Sequence, residues 1–569
     1  MPENHRNDAL GSRGDFLAAR DLLLALREDY DEAVARFRWP QVDRFNWAID
    51  WFDGVLASGA LADATALEII GDNAASLSFR DLSRRSDALA NGLKRIGVRP
   101  GDRILLMLGN RSELWETMLA AMKLGAVTIP ASTLLTAQDI AERISEGQVS
   151  IWIAEPELAQ QSAAIGADLI RICVGDGQTG WHSYDALLSD NEPFTPERPA
   201  MADDPILLYF TSGTTSRPKL VMHTHRSYGI GALSTMYWLG LQPGDRHLNV
   251  SSPGWAKHAW SCLFAPWNAG ATVVIANLGR FDAGALLDVL VQAQVTSLCA
   301  PPTAWRMLIQ QDLAQWPVVL REVCAAGEPL NPEVIAAVEK AWNLTIRDGF
   351  GQTETTAQIA NSPGQRVDPG AMGRPLPGYR IALIDADGNE ADEGELAIDL
   401  QSRPAGLMVG YQQEGCVVSL EGRYYRTGDL AYRDADGWYT YVGRSDDVFK
   451  ASDYRISPFE LESILIEHPA VAEAAVVPAP DPVRLAVPKA YVALVAGLAG
   501  DEATARSIFA HIAARLAPYK RVRRLEFFDL PKTISGKIRR VELRRREQEF
   551  AARGARCPSE FCEDDFTDG

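Results

Sequence analysis

Pro205-Ile-Leu-Leu-Tyr-Phe210 runs directly into Thr211-Ser-Gly-Thr-Thr-Ser-Arg-Pro-Lys219, an apolar run followed by a dense series of hydroxyls with one glycine and a closing lysine. A short apolar run bounded by turn residues reads as a buried strand. The loop after it offers backbone N–H groups, neighbouring hydroxyls and a cation to oxyanions, which is the equipment of a polyphosphate site. Gly213 and Lys219 have the separation of a Walker A loop, but Pro218 precedes the lysine and Leu220 replaces the magnesium-binding hydroxyl. That motif is therefore excluded. On composition alone, a Ser/Thr-rich surface turn would suit the string equally well.

Outward from this strand, apolar runs at Ile104 to Met107, Ile151 to Ile153 and Thr272 to Ala276 alternate with helical segments such as Ser112 to Leu124. That rhythm predicts an α/β fold with largely buried strands. Asp15 to Trp39 has helical spacing and Phe45-Asn46-Trp47 starts a second apolar stripe, so entry helices are expected there. Between Gly378 and Tyr441 the pattern changes to strand-like pieces separated by the turns Asp387-Gly388 and Asp436-Gly437, a β-rich section. Beyond Asp446-Asp447, a helix over Pro458 to Glu467 capped by Ser457 and strands near Ala472 to Val477 and Ala490 to Val495 indicate a separate α+β domain. The expected division is a large N-terminal domain of stacked α/β sheets over 1–445, with its β-rich section over 378–441, and a small C-terminal domain over 446–569. The tail 557–569, rich in Glu560, Glu563, Asp564, Asp565 and Asp568, is expected to be disordered.

A chain of 569 residues exceeds what one hydrophobic core normally serves. Its net charge of -19 argues against a nucleic-acid partner, because phosphate contacts along a duplex need a basic surface. No stretch has the apolar length of a membrane span, and the start of the chain has neither a signal core nor an Arg-rich transit pattern. The seven cysteines are scattered, without disulfide or zinc spacing apart from a loose pair near the end. A soluble protein of the reducing cytoplasm is expected.

The string TSGTTSRPK with its leading strand resembles the phosphate loop of the adenylate-forming superfamily, in which acyl-CoA synthetases, peptide-synthetase adenylation domains and luciferases stand together. The resemblance covers about residues 45 to 545 and continues through further motifs in the family's order. It implies ATP contacts from Thr211, Ser212, Gly213, Thr214, Thr215, Ser216, Arg217, Pro218 and Lys219, with Ser216 where Gly is usual. Gly327-Glu328-Pro329 is similar to one wall of the adenine slot. Gly349-Phe350-Gly351-Gln352-Thr353-Glu354 is similar to the segment with an aromatic ring against adenine, a Thr on the α-phosphate and a Glu that holds Mg²⁺. A hard carboxylate suits that ion. Phe350 stands where Tyr is more usual. Arg426-Thr-Gly-Asp429 resembles the segment whose Asp accepts hydrogen bonds from the ribose hydroxyls.

Gly443-Arg-Ser-Asp-Asp-Val-Phe-Lys450 and the following residues resemble the hinge, with Arg444 on the nucleotide and Asp446 as pivot of a mobile C-terminal domain. Pro531-Lys-Thr-Ile-Ser-Gly-Lys537 resembles the signature of the catalytic lysine, a flexible cation able to reach both the carboxylate and the α-phosphate. Catalytic roles are thus implied for Lys537, Thr353 and Glu354. Ser252-Pro-Gly-Trp255, Trp305 to Asp312 and Asp481-Pro-Val-Arg484 are similar to strings of medium-chain acyl-CoA synthetases and benzoate-CoA ligases. In that branch Ser452, Tyr454, Arg455, Arg484, Lys520, Arg521 and Arg523 would face coenzyme A, with Asp453 replacing a usual Gly. Lys520 to Arg546 holds eleven Lys/Arg against Glu526, Asp529 and Glu542, a local surplus of eight in an acidic chain. Such a run is often only a solvated face.

Trp255, Lys257 and Trp260 fall where this branch lines its acyl tunnel. Lys257 and Trp260, three apart, would share a helix face. Facing inward, they would favour a short, branched or compact aromatic acid; alternatively Trp260 is core and Lys257 snorkels outward. His223, His225 and His258 suit satisfied side chains, although His223 or His225, which follow the phosphate loop closely, could line the acyl or nucleotide side. The implied activity is an AMP-forming acyl-CoA synthetase that uses ATP, Mg²⁺ and coenzyme A on a carboxylic acid. Its rivals are an adenylating enzyme that loads a carrier protein, and a non-catalytic nucleotide- or acyl-binding protein. The candidate partners are a second copy of the chain and a lysine acetyltransferase and deacetylase pair acting on Lys537, whose acetylation would remove its charge.

Overall fold

The computed structural model describes residues 3–161, 165, 168–175, 177–211, 219–328, 330–413, 416–451, 454–481, 485–532, 538–553, 557 and 559–566. Two compact units emerge: Met1–Ile381 with Ile398–Tyr425, and Ala382–Ala397 with Arg426–Gly569.

The first unit contains two nine-stranded sheets among the described residues. One is ordered Cys416–Ser419, Gly410–Gln413, Lys219–Thr224, Pro205–Thr211, Val127–Pro130, Arg103–Met107, Ile151–Ala154, Ile170–Cys173 and His182–Ser183. The other runs Arg374–Pro375, Ala357–Ala360, Arg347–Gly351, Glu322–Ala326, Ser297–Ala300, Arg246–Asn249, Thr272–Asn277, Thr65–Gly71 and Ala75–Ser78. Their central strands are parallel and buried along their length, which is why they read as continuous apolar runs. Helix Ser112–Leu124 lies where the periodicity predicts it. The entry helices are Glu3–Ala25 and Tyr30–Arg36.

A π-helix over Trp47–Ala57 follows, its first N–H groups capped by Asn46, whose side chain accepts from Ala48 at 3.1 Å and Ile49 at 3.2 Å. This helix drives Trp47 and Trp51 into a core where each indole N–H has a partner, Asn268 Oδ1 at 2.8 Å and the Trp267 carbonyl at 3.1 Å. Buried tryptophans usually find such a partner.

The β-rich section divides. Gly410–Gln413 and Cys416–Ser419 join the sheet that carries the phosphate loop. Ile381–Ile384, Glu393–Asp399, Tyr424–Arg433 and Tyr439–Arg444 instead form a sheet of their own. Most of that sheet falls in the second unit, so the packing boundary lies upstream of residue 446.

The second unit also contains helix Pro458–Ile466, capped by the Ser457 hydroxyl, and a sheet ordered Val471–Asp481, Leu485–Leu494, Arg524–Phe527 and Glu560–Cys562. That last strand corrects the expectation of a disordered tail. Glu560–Cys562 pairs antiparallel with Arg524–Phe527, Phe561 packs on Phe527 at 5.7 Å between ring centroids, and Cys557 and Cys562 are buried. The acidic residues are there because cations await them: Glu560 reaches the buried Lys489 at 2.7 Å, and Glu563 pairs with Arg523. No helix among the described residues is long and apolar enough to cross a membrane.

Candidate active site

In the first unit the loop's flanks are an antiparallel pair, with Thr211 opposite Lys219. Ser212, Gly213, Thr214, Thr215, Ser216, Arg217 and Pro218, between them, lie outside the described residues. Lys219 places its ammonium 4.9 Å from the centre of the Tyr411 ring, a cation–π contact. Tyr411 sits on the neighbouring strand and donates its hydroxyl to Glu354 Oε1 at 2.9 Å. One side chain thus touches both the lysine at the end of the loop and the carboxylate expected to meet magnesium.

Thr353 and Glu354 occupy the turn between strands Arg347–Gly351 and Ala357–Ala360, and the turn is clamped from behind. The Thr353 carbonyl lies 2.7 Å from His223 Nε2 and accepts from the Tyr228 hydroxyl at 3.3 Å. The His223 and Tyr228 rings stack at 3.8 Å, and Met408 N–H donates to the Glu354 carbonyl at 2.8 Å. Burial pushes the His223 pKa down to about 3, so this imidazole stays neutral and serves as a brace. Neither Tyr411 nor Tyr228 stood out in the sequence; nothing in a lone tyrosine separates such a bridge from ordinary core.

Gly327 follows strand Glu322–Ala326 with φ +112, backbone that favours glycine. Glu328 is 3.5 Å from Arg306, and Pro329 lies outside the described residues. Ala326 is paired with Gly349 on the adjacent parallel strand, so the two glycine-bearing motifs leave the same sheet end side by side. The carboxyl ends of parallel strands are where open α/β sheets bind ligands. Gly349 has a packing reason of its own: a Cβ there would meet the Trp238 ring at 2.3 Å. Phe350, Gly351 and Gln352 continue from it toward Thr353.

On the acyl side, Trp255 precedes a helix that covers only Ala256–Ala259, and Trp260 starts the π-helix Trp260–Phe264. Trp260 is 6% exposed and 6.3 Å from Trp238, which places it in the core. Lys257 does not snorkel outward; its Nζ donates to the Ala326 carbonyl at 3.2 Å, beside Gly327. His258, between them, lines a small cavity, and of the three histidines considered it is the one with an orphaned ring nitrogen.

In the second unit Asp429 pairs across strands with Arg444, Nη1 to Oδ2 at 3.2 Å, and accepts from the Tyr441 hydroxyl at 3.1 Å. Asp446 is exposed in the turn after Arg444, whose Nε lies 3.4 Å from its carboxylate. Asp447 instead pairs with Arg544 and lies 4.0 Å from Arg540. Of the coenzyme-side cations, Lys520 pairs with Glu460 at 2.7 Å, Arg521 lies 3.8 Å from Glu563, and Arg523 pairs with the same Glu563. The basic surplus read from 520–546 is thus partly neutralised by the tail. Tyr454 and Arg455 lie on strand Tyr454–Ile456; Ser452, Arg484 and Lys537 lie outside the described residues. Among the described residues no cluster of three or more His, Cys, Asp or Glu is arranged to hold a metal.

The description "AMP-binding enzyme" matches residues 57–411, and "AMP-binding enzyme C-terminal domain" matches 460–537. The chain is 44% identical over 524 residues to 4-hydroxybutyrate–CoA ligase 1 of Metallosphaera sedula, with 90% of this chain and 92% of that one covered. It is 38% identical to the mitochondrial acyl-coenzyme A synthetase ACSM3 of Rattus norvegicus, over 83% of this chain and 84% of the relative. The solved structure of a benzoate CoA ligase from Burkholderia xenovorans LB400 superimposes with a TM-score of 0.77 at 31% identity, covering 88% of this chain and all of the other.

Proposed function

Since the chain belongs to the AMP-binding enzyme family and is an AMP-forming acid–CoA ligase working through an acyl-adenylate, we propose that its acid is short and hydroxylated at the end remote from the carboxylate. The observation that carries the choice of acid is the 44% identity, over nine-tenths of both chains, to a 4-hydroxybutyrate–CoA ligase. The buried Trp260, and room for no more than a hydroxyl against its neighbours His258 and Ala259, are in keeping with a compact acyl group.

In the first half-reaction a carboxylate oxygen of the acid attacks the α-phosphorus of ATP and pyrophosphate leaves. Lys219 holds the departing phosphates, Thr353 contacts the α-phosphate, and Lys537 neutralises charge as it develops on the attacked phosphorus. Asp429 and Arg444 hold the nucleoside end, and the Gly327 and Phe350 segments flank its base. In the second half-reaction the CoA sulfur attacks the acyl carbon, AMP leaves and the thiol proton is released. Lys520, Arg521 and Arg523 are proposed to exchange their carboxylate partners for coenzyme phosphates, with Asp446 as the pivot between the two steps.

A single carboxylate, Glu354, fits magnesium, which is usually held by one or two carboxylates together with phosphate oxygens and water. When bound, the ion would neutralise charge on the phosphates. Tyr411 orients Glu354. Tyr411→Phe is therefore expected to raise the Mg²⁺ concentration for half-maximal pyrophosphate exchange about tenfold or more. A magnesium titration with an unchanged midpoint would reject that role.

The acid itself is tested by carboxylate-dependent ATP–pyrophosphate exchange and CoA-ester formation over 4-hydroxybutyrate, butyrate, hexanoate, octanoate and benzoate. 4-Hydroxybutyrate is expected to have the highest kcat/KM. A preference for octanoate would overturn this choice of acid. We also propose a cytoplasmic location, in keeping with seven free cysteines, six of them buried as thiols.

A further inference from the structure

A cavity of about 10 Å³ lies against helix Ala256–Ala259. Its walls include Leu114, Trp115, Met118, Tyr209, His258 and Leu263. Tyr209 comes just before Thr211, so the space adjoins the strand that delivers the phosphate loop. The walls are mostly apolar, and the Trp115 N–H is spent on the Cys262 carbonyl at 2.8 Å. Tyr209 adds a hydroxyl, and the remaining polar side chain is His258. It is 5% exposed, its ring lies 5.5 Å from Trp115, and its Nε2 has no hydrogen-bond partner.

A buried polar atom without a partner is costly, and native proteins keep few of them. The cost is relieved when a ligand supplies the missing partner. Room of this size takes one water or one hydroxyl, and no ring. Burial holds the imidazole neutral, with its pKa pushed down to about 3. A neutral imidazole suits a hydroxyl, which can donate or accept, and offers no positive charge to a second carboxylate.

We propose that His258 is a specificity-determining residue whose Nε2 hydrogen-bonds the remote hydroxyl of the acyl group inside this cavity. The proposal rests on the hydroxy-acid reading above and adds to it the residue that recognises the hydroxyl.

The test is the ratio of kcat/KM for 4-hydroxybutyrate to that for butyrate, which differ only in the hydroxyl. Wild type is expected to favour the hydroxylated acid, and His258→Leu to lower the ratio about tenfold or more, as loss of one buried hydrogen bond allows. His258→Asn, which keeps a polar group, should retain part of it. A wild-type preference that persists in His258→Leu overturns the role of His258 while leaving the hydroxy-acid reading intact. A wild-type enzyme indifferent to the hydroxyl overturns both. Should the leucine variant fail to fold, the ratio in His258→Asn decides: an unchanged value counts against the proposal and a reduced one supports it.

Discussion

Lys537→Ala is expected to lower acyl-AMP formation by about 10²- to 10³-fold, the usual consequence of removing one charge-stabilising donor from a transition state. The expectation rests on the resemblance of Pro531 to Lys537 to the signature that bears the adenylating lysine. The flanks of that segment are firmly held: Lys532 bridges Ile538 across it, Arg539 N–H donates to the Pro531 carbonyl at 2.8 Å, and Lys532 is anchored to Glu473 at 2.6 Å. Because that resemblance assigns the lysine to the first half-reaction, the variant should still convert supplied acyl-AMP and CoA into the thioester at close to the wild-type rate. Pyrophosphate exchange and single-turnover thioester formation, measured side by side, check both halves. Equal losses in the two assays would mean that Lys537 is structural. Acetylation of Lys537 should reproduce the alanine phenotype, since it too removes the charge.

Lys489→Met is expected to destabilise the second unit by about 3–5 kcal/mol, the usual cost of removing one partner from a buried charge cluster. Lys489 is fully buried and meets Glu526 at 2.9 Å, Glu547 at 2.7 Å and Glu560 at 2.7 Å. Burial by itself would raise the Glu526 pKa, but the hydrogen bond and charge of Lys489 outweigh it and hold the carboxyl below its ordinary range. Burial likewise disfavours the ammonium, and Glu547 and Glu560 more than reverse that, holding its pKa above the usual lysine value. The signs follow from linkage. In wild type the Glu526 contribution is present above the ordinary carboxylate pKa and is lost as the medium becomes more acidic than its folded pKa. The Lys489 contribution is present at neutral pH and is lost only as pH rises through its folded value. In the variant, three buried carboxylates face one another without their central cation, so acidification from pH 7 towards 4 should stabilise it. Hydrogen exchange at Leu485–Leu494 and Glu560–Cys562, followed against pH, reads both effects. A variant as protected as wild type at pH 7 would show the cluster to be unimportant.

The features legible in the sequence were those fixed by local pattern. Strand Pro205–Thr211, helix Ser112–Leu124 and the Ser457-capped helix each follow from apolar period and end signals within one short window. The ordered motifs led to the correct enzyme family, because ATP chemistry places particular residues in fixed local strings. What was hidden depended on distant partners. The tail reads as acidic and disordered until Lys489 and Arg523, far back in the chain, supply the cations for Glu560 and Glu563. Strands Gly410–Gln413 and Cys416–Ser419 carry no sign that they extend the sheet of Lys219 and leave their sequence neighbours. Tyr411 carries no local sign of its bridge, and His258 reads as an ordinary satisfied side chain, because a bridge and an orphaned nitrogen are properties of a neighbourhood.

The strand order of the larger sheets also bears on when they can form. Thr65–Gly71 finds its parallel partner only at Thr272–Asn277, with Leu67 beside Val273. Arg20 is bonded to the carbonyls of Asn268 and Ala269, and the Tyr30 hydroxyl to that of Pro375, 345 residues onward. Contacts of such separation are slow to form, because loop closure must be completed before they contribute anything. During synthesis, the edge of Thr65–Gly71 that meets Thr272–Asn277 therefore stays uncovered until the later strand has been made, and in that interval it is open to pairing with other chains.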